Sequence, residues 1–447
     1  MPPLDTTFAR LSPRLNPAPV PLASRAITGF AVVLFVALTA QAFMRDGLGA
    51  WSVGIAYILY DTALLAFTAV HIRRLGPDRA GASLPDKPRP RLTVIIAAHN
   101  EATVLPVTIA TLMEQDGPPD AILIADDGST DATPDALSLH YGLGPPEPGA
   151  LSAPAPGLPV LRWLRLPHGG KARALNQAIG HVETEMMLTV DADTLLRPGA
   201  LRAMRDAFAA EPALVAATGI LVPACGRAPM GRFFQWFQRY EYVRNFLSRD
   251  AWMQLNALLL ISGAFAAFRR DAVVEVGGFD PDCMVEDYEL IHRLHRYSVD
   301  QARGWTVRVV GGAVAVTDAP ASPLAFLRQR RRWFGGFLQT QYWNRDMVGN
   351  RRFGWLGTAM LPVKALDTLQ PIFGLTAFAI LIGLVATGQY RIAFPILLVM
   401  IAKIIVDLGF HLWSIGRYKA WTGQGGGLGL PMAVLASILE PFSFQLL

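Results

Sequence analysis

Long apolar runs at both ends of this chain, with a charge-bearing stretch between them, limit its fold more than any other feature. A first run extends from about Ala26 to Met44 and a second from about Trp51 to Val70. Others occupy about Leu361 to Val385, Phe394 to Phe410 and Leu428 to the C-terminus. Such runs read as membrane helices, because in hydrocarbon a helix satisfies its own backbone polar groups. Arg10, Arg14 and Arg25 precede the first pair, and His71, Arg73, Arg74 and Arg79 follow it, so both ends of the pair fall on the cytosolic side. Arg417 and Lys419 return to that side after an even number of crossings. A cleaved signal peptide is the rival for the first run, but the long leader before it and the second run behind it argue against that reading.

Composition agrees. Of 447 residues 52% are hydrophobic, which is high for a soluble enzyme, and the formal charge of +5 is carried near the apolar runs instead of in a tail. That pattern favours a lipid surface over nucleic acid. Two cysteines, Cys225 and Cys283, support neither a disulfide framework nor a thiolate metal site. The chain divides into a loosely ordered cytosolic leader (1–25), two transmembrane helices (26–71), a linker (72–90, Pro-rich from Pro85 to Pro90), a cytosolic α/β domain (91–318), an interfacial helix (319–350) and C-terminal transmembrane helices (351–447). The sequence stops inside an apolar segment, which leaves truncation at Leu447 open.

Inside the central stretch, Arg91 to Ala98, Ala121 to Ala125 and Leu158 to Leu166 read as strands, and about Val104 to Gln115 and Lys171 to Ile179 as helices. Tyr141 to Pro159, rich in Pro, Gly and Ala, reads as a mobile surface insertion. Gly231 to Arg249 and Pro323 to Arg345 are helical patterns with aromatic residues around too much of their circumference for free surface helices. The second mixes Arg328 and Arg330 to Arg332 with Phe326, Trp333, Phe334, Phe337 and Trp343, which suits the lipid headgroup layer.

The run Met186 to Val190 is a buried strand that ends in Asp191-Ala192-Asp193. Strand alternation points both carboxylates the same way, at the edge where open α/β sheets gather ligands. Two hard oxygen donors there suit a divalent cation that keeps water and substrate phosphates. Asp126-Asp127-Gly128-Ser129-Thr130-Asp131 ends another strand with carboxylates and a turn fit to grip a nucleoside. His168-Gly169-Gly170-Lys171 opens a helix where phosphate can approach backbone N–H groups. Glu286-Asp287 follows the turn Gly277-Gly278-Phe279-Asp280, and Gln329-Arg330-Arg331-Arg332-Trp333 comes last. Each has a plainer alternative: capped turns for the aspartates, a simple helix start for Lys171, a capping pair for Glu286-Asp287 and a membrane anchor for the arginines. Lys364 with Asp367, and Lys403 with Asp407, can each pair on one helix face inside the C-terminal spans and should point inward.

The order of these motifs, with His99-Asn100-Glu101 and Gly170-Lys171-Ala172-Arg173-Ala174-Leu175-Asn176, resembles the membrane-embedded family 2 glycosyltransferases. That group contains the synthases of cellulose, hyaluronan, chitin-like oligosaccharides and poly-N-acetylglucosamine. The resemblance implies a glycosyltransferase-A-type domain, a mixed sheet flanked by helices, set between transmembrane helices and carrying amphipathic interface helices. It implies a nucleotide-sugar donor, usually UDP-linked, a Mg2+ or Mn2+ ion, and inversion at the anomeric carbon. By position, Glu101 and Asp127, beside Asp126, would hold the nucleoside and Lys171 the diphosphate side. Asp193, helped by Asp191, would hold the metal. Asp287 would be the general base, with Glu286 at the acceptor site. Gln329, Arg332 and Trp333 would form the lid over diphosphate and acceptor, and Ser262-Gly263 the acceptor-side segment. Val285 departs from the threonine often found there, which puts acceptor contacts in question, and Ala98-His99 replaces a frequent proline or tyrosine.

The reading that follows is an inner-membrane enzyme that elongates a β-linked polysaccharide of N-acetylglucosamine and exports it. The runner-up transfers one sugar to a glycolipid or polyprenyl-phosphate acceptor. A catalytically silent, sugar-nucleotide-binding regulator is a third reading. Expected partners are donor, glycan or lipid acceptor and the bilayer, with an accessory membrane subunit left open.

Overall fold

The computed structural model describes residues 4–77, 88–423, 429, 431 and 433–435. Arg79, the first half of the linker from Pro85, and nearly all of the apolar run from Leu428 lie outside those residues.

Three helices open the chain: α1 (Leu4–Leu11), α2 (Leu22–Met44) and α3 (Ser52–Ile72). An α/β region follows with β1 (Leu92–Ala98), α4 (Leu105–Met113), β2 (Ala121–Asp127), α5 (Thr133–Tyr141), β3 (Leu161–Leu166), α6 (Lys171–Ile179) and β4 (Met186–Asp191). Then come β5 (Leu195–Leu196), α7 (Ala200–Ala210), β6 (Leu214–Ala224), α8 (Pro229–Met253), β7 (Phe265–Arg269), α9 (Arg270–Glu275), α10 (Glu286–Asp300) and β8 (Thr306–Asp318). The chain continues through α11 (Pro323–Trp343), α12 (Leu361–Asp367), α13 (Gln370–Ala386) and α14 (Tyr390–Thr422).

The described strands form one sheet in the order β3-β2-β1-β4-β7-β6-β8-β5. From β3 to β4 the pairing is parallel, and β7 runs antiparallel between β4 and β6. Parallel strands covered on both faces need unbroken apolar sequence, and β1 and β4 supply it. The chain steps outward from β1 to β2 to β3, then returns to the other side of β1 for β4. Strand order therefore reverses between β1 and β4, and it is outside the carboxyl ends at such a reversal that open α/β sheets bind ligands. Ala97 pairs with Asp191 and Ala98 with Asp126, which brings the acidic ends of β2 and β4 level with the residues that lead to Glu101.

Among the described residues, three helices are long and apolar enough to cross a membrane, Leu22–Met44, Gly47–Ile72 and Tyr390–Thr422, and the pair Leu356–Asp367 and Gln370–Ala386, bent by 41°, makes a fourth if it is one broken span. Apolar side chains such as Phe30, Val33, Phe394, Ile401 and Ile405 stand exposed on them, as lipid contact requires. The two charge pairs form as the spacing predicts. Lys364 meets Asp367 at 2.7 Å and Tyr60 donates to Asp367 at 2.6 Å. Lys403 pairs with Asp407 and also with Asp61 of α3 at 2.6 Å, a partner the local spacing could not reveal.

Helix α8 buries Phe234, Phe237, Tyr240, Phe246 and Trp252. Trp252 meets Phe67 of α3 with ring centres 4.4 Å apart. Helix α11 instead leaves Leu324, Leu327, Phe334 and Leu338 exposed. Its outer face keeps the apolar surface expected at a headgroup layer.

Two expectations give way. The leader is not loose: α1 docks on the α/β region and buries Phe8, because Gly277 offers no side chain to exclude it. The Tyr141 to Pro159 insertion is also packed. Gly149, Ser152 and Ala155 donate to the carbonyls of Arg165, Trp163 and Leu161, so the insertion covers the outer edge of β3. A covered edge has no free backbone for other chains to pair with.

Candidate active site

Asp126 and Asp127 belong to the end of β2, two residues beyond the strand end expected from sequence. Their carboxylates are buried and already engaged. Asp126 accepts from Ser129 N–H at 2.9 Å and from Trp163 Nε1 at 3.1 Å. Asp127 accepts from the N–H groups of Gly169 and Gly170 at 2.7 and 2.9 Å and lies 3.0 Å from His168 Nδ1. A Cβ on Gly128, at φ +67°, would stand 2.6 Å from the His168 nitrogen. The β2 turn and the loop that opens α6 are thus fastened together, and Asp127 serves the loop's backbone geometry. His99 stacks on His168 at 4.5 Å, and their ring nitrogens with an Asp127 oxygen all lie within 4.8 Å of one another. His99 Nδ1 is hydrogen-bonded to the Asp127 carbonyl at 2.8 Å.

Asn100, at φ +62°, accepts from Thr130 N–H and hands the chain on to Glu101. Burial, reinforced by Asp193, Asp131, Asp191 and Asp318, holds the Glu101 carboxyl above its ordinary range. Asp193 is raised in the same way, by burial first and then by Asp191 and Asp318. Asp318 was missed from the sequence. It ends β8, the strand that pairs with Leu195–Leu196, and Thr317 meets Thr194 at 2.8 Å. The signal was the one that marked Asp191, a carboxylate closing an apolar run.

Lys171, the first residue of α6, places Nζ 2.5 Å from Asp191 and 3.7 Å from Glu286. Burial opposes its charge, but the two carboxylates outweigh that and hold the ammonium above its usual value. Burial likewise pushes the Glu286 carboxyl up, against Lys171 and with Asp287. One lysine therefore joins the α6 loop, the end of β4 and the start of α10.

Asp287 accepts from the first-turn N–H of Tyr288 at 2.8 Å, as a capping carboxylate does, and its other oxygen accepts from Gly263 N–H at 2.6 Å, outside its own helix. A Cβ on Gly263 would lie 3.1 Å from that carboxylate oxygen. Ser262 donates its N–H to Thr218 at 3.3 Å, and Asp191 N–H donates to Ala264, which sets the 262–264 segment between the end of β4 and Asp287. Val285 is buried against Gly336 of α11, so a threonine hydroxyl there would be enclosed.

From α11, Arg332 donates to the Met284 carbonyl at 3.4 Å. Arg330 binds Glu241 of α8 at 2.6 Å and lies over the rings of Phe326 and Trp333 at 4.4 and 4.9 Å. Trp333 is thereby held, while the Gln329 side-chain oxygen is buried with no hydrogen-bond partner among the described residues. Arg249 of α8 is a second residue the sequence did not mark. Its guanidinium lies over Phe246 at 4.6 Å within the electrostatic reach of Asp287 and Tyr242, and burial pulls it down to about 10.

This set of residues could hold a cation and face phosphate. Glu101, Asp191, Asp193 and Asp318 offer hard oxygen donors in excess of the local positive charge, and the raised carboxyls of Glu101 and Asp193 register that excess. A divalent cation fits these residues better than the His99–Asp127–His168 group, where both Asp127 oxygens already accept backbone hydrogen bonds.

Residues 93–277 match the profile described as Glycosyl transferase family 2, and residues 186–405 that of Glycosyl transferase family group 2. The beta-monoglucosyldiacylglycerol synthase of Synechocystis sp. is 25% identical over 323 residues, 68% of this chain and 60% of that protein. The poly-beta-1,6-N-acetyl-D-glucosamine synthase of Staphylococcus aureus is 27% identical over 248 residues, 55% of this chain and 54% of that protein. The chain thus spans less than two thirds of the length of these relatives. Among solved structures, the mannosyltransferase PcManGT of Pyrobaculum calidifontis, in complex with GDP-Man and Mn2+, superposes with a TM-score of 0.54 at 22% identity. That alignment covers 88% of this chain and 99% of the mannosyltransferase, and it is a likeness of fold.

Proposed function

The chain belongs to glycosyltransferase family 2, and on that premise we propose that it is a metal-dependent, inverting enzyme of the inner membrane, with its active site on the cytosolic side. It moves a sugar, N-acetylglucosamine by preference, from a UDP-linked donor to a growing β-linked glycan that is passed outward. The observation that carries this reading is the meeting of Lys171 with Asp191 and Glu286. It brings a phosphate-side loop, an acidic cation site and the acceptor-side start of α10 to one point.

Glu101 and the β2 turn would receive the nucleoside, with Asp126 and Asp127 shaping the turn and the Gly169-Gly170 backbone. Lys171 and Arg332 would face the diphosphate. Asp193 and Asp191 would hold a Mg2+ or Mn2+ ion, which would supply positive charge for the departing diphosphate. Asp287, oriented by Gly263, accepts the proton of the acceptor hydroxyl as its oxygen bonds to the anomeric carbon and the bond to the diphosphate breaks. General-base assistance of this kind contributes about 10²–10⁴-fold. Base and leaving group stand on opposite faces of the sugar, so an α-linked donor gives a β-linked product. Trp333 and Gln329 close the acceptor side.

A second reading, transfer of one sugar to a membrane lipid, is favoured by the glycolipid synthase that aligns with 68% of the chain. Incubating the purified protein with radiolabelled UDP-N-acetylglucosamine and Mn2+ separates the two. Label in long, water-soluble chains supports the synthase. Label confined to a single-sugar, solvent-extractable lipid overturns it.

A further inference from the structure

The N-terminal segment carries no motif, yet it lies on the turn that leads into Glu286-Asp287. Arg14 donates from Nε and Nη2 to the two oxygens of Asp280 at 3.1 and 3.0 Å, and the Asp280 side chain is fully buried. The same guanidinium reaches Asp282 at 3.1 Å and lies 5.7 Å from the ring centre of Trp343, at the end of α11. Asp282 faces Arg173 of α6 at 3.6 Å. Arg14 therefore holds the turn before α10 directly, meets the C-terminal end of the helix that carries Arg332, and reaches α6 through the Asp282–Arg173 pair.

Phe8 anchors the segment. Its backbone fits where a Cβ on Gly277 would come within 2.3 Å, and its ring stands 4.8 Å from the guanidinium of Arg293. Arg293 is fully buried, pairs with Glu289, and donates to the carbonyls of Val276 and Gly278. Gly277 and Gly278 adopt φ of +88° and +74°, a conformation that side chains disfavour. The turn is thus held from inside by Arg293 and from outside by Phe8 and Arg14. An Arg–carboxylate fork fixes orientation as well as distance, so its aim carries into the residues that follow.

We propose that residues 4–16 are part of the catalytic unit, and that Arg14 is a positioning residue which holds the Asp280–Val285 loop so that Asp287 meets the acceptor. The proposal rests on Asp287 acting as the base. It is tested in the full chain with Arg14→Ala, Arg14→Lys and, in parallel, Asp287→Asn, by measuring transfer kcat, donor KM and Tm.

In Arg14→Ala, kcat should fall by about 10- to 100-fold, the scale of an ångström-sized misplacement, with donor KM unchanged. Arg14→Lys keeps the charge but not the fork, and should recover only part of kcat while folding normally. If Arg14→Ala is not recovered folded, the lysine variant decides: reduced kcat at wild-type Tm supports the clamp, and wild-type kcat overturns it. Lowered Tm with wild-type kcat, or a loss confined to donor KM, also overturns it. Should Asp287→Asn turn over normally, the base assignment fails whatever Arg14 does. A dead Asp287→Asn beside a fully active Arg14→Ala removes the clamp alone.

Discussion

At the scale of single residues, the site is governed by crowded carboxylates. Glu101 and Asp193 are raised by burial and by neighbouring acids, so the folded protein binds their protons more tightly than the unfolded chain. The resulting stability is full below the unfolded carboxylate range and is lost as pH rises through the higher folded values. Without metal, Tm should therefore fall across that window. A cation binds the ionised forms and cancels the repulsion, so the Tm gain on adding Mn2+ should be larger at about pH 8 than at about pH 5, above and near the ordinary carboxylate range. Asp318→Asn removes one of the repelling charges, and should raise metal-free Tm at the higher pH while shrinking the Mn2+ gain. Thermal scans with chelator and with Mn2+ check this. An equal Mn2+ gain at both pH values would place the ion elsewhere.

Among elements, the membrane helices are joined by charge as well as by apolar packing. Lys403 of α14 lies between Asp407 of its own helix and Asp61 of α3. Lys403→Met leaves two carboxylates facing each other in an apolar setting, and breaking such a buried pair costs about 3–5 kcal/mol. The variant should show a lowered Tm in detergent that Asp61→Asn combined with Asp407→Asn restores. A wild-type Tm in the single variant would mean that the group is hydrated and contributes little. This triad also marks a limit of sequence reading. The i,i+4 spacing predicts Lys403 with Asp407, but a cross-helix partner depends on how two spans pack. Asp287 shows the same limit, since its neighbour Gly263 is brought to it only when β7 pairs with β4. Helix α6 and the ends of β4 were legible because their apolar pattern stops at a charge or a glycine. Strands β6 and β8, and Asp318 with them, were not marked although the same pattern runs through them. The order of the leader was not legible although Leu4, Phe8 and Leu11 fall at i, i+4 and i+7, because eight residues are too few to hold a helix alone and gain order only from a surface, here the Gly277-Gly278 turn, that local sequence cannot display.

For the whole molecule, one sheet gathers the ends of β2 and β4, the segment before β7 and the start of α10, and apolar helices long enough to cross a membrane lie on either side of it in sequence. In the proposed mechanism Asp287 accepts the acceptor proton there. Asp287→Asn keeps the shape of the side chain and can still meet Gly263, but it cannot take the proton. Donor affinity should be nearly intact, while transfer should drop by about 10²-fold or more, the usual range for a general base. The decisive measurement is UDP-sugar binding and radiolabelled transfer on the same purified variant, with wild type alongside. Bound donor without product is the expected result. Transfer above about a tenth of wild type, well short of a general-base loss, would contradict it.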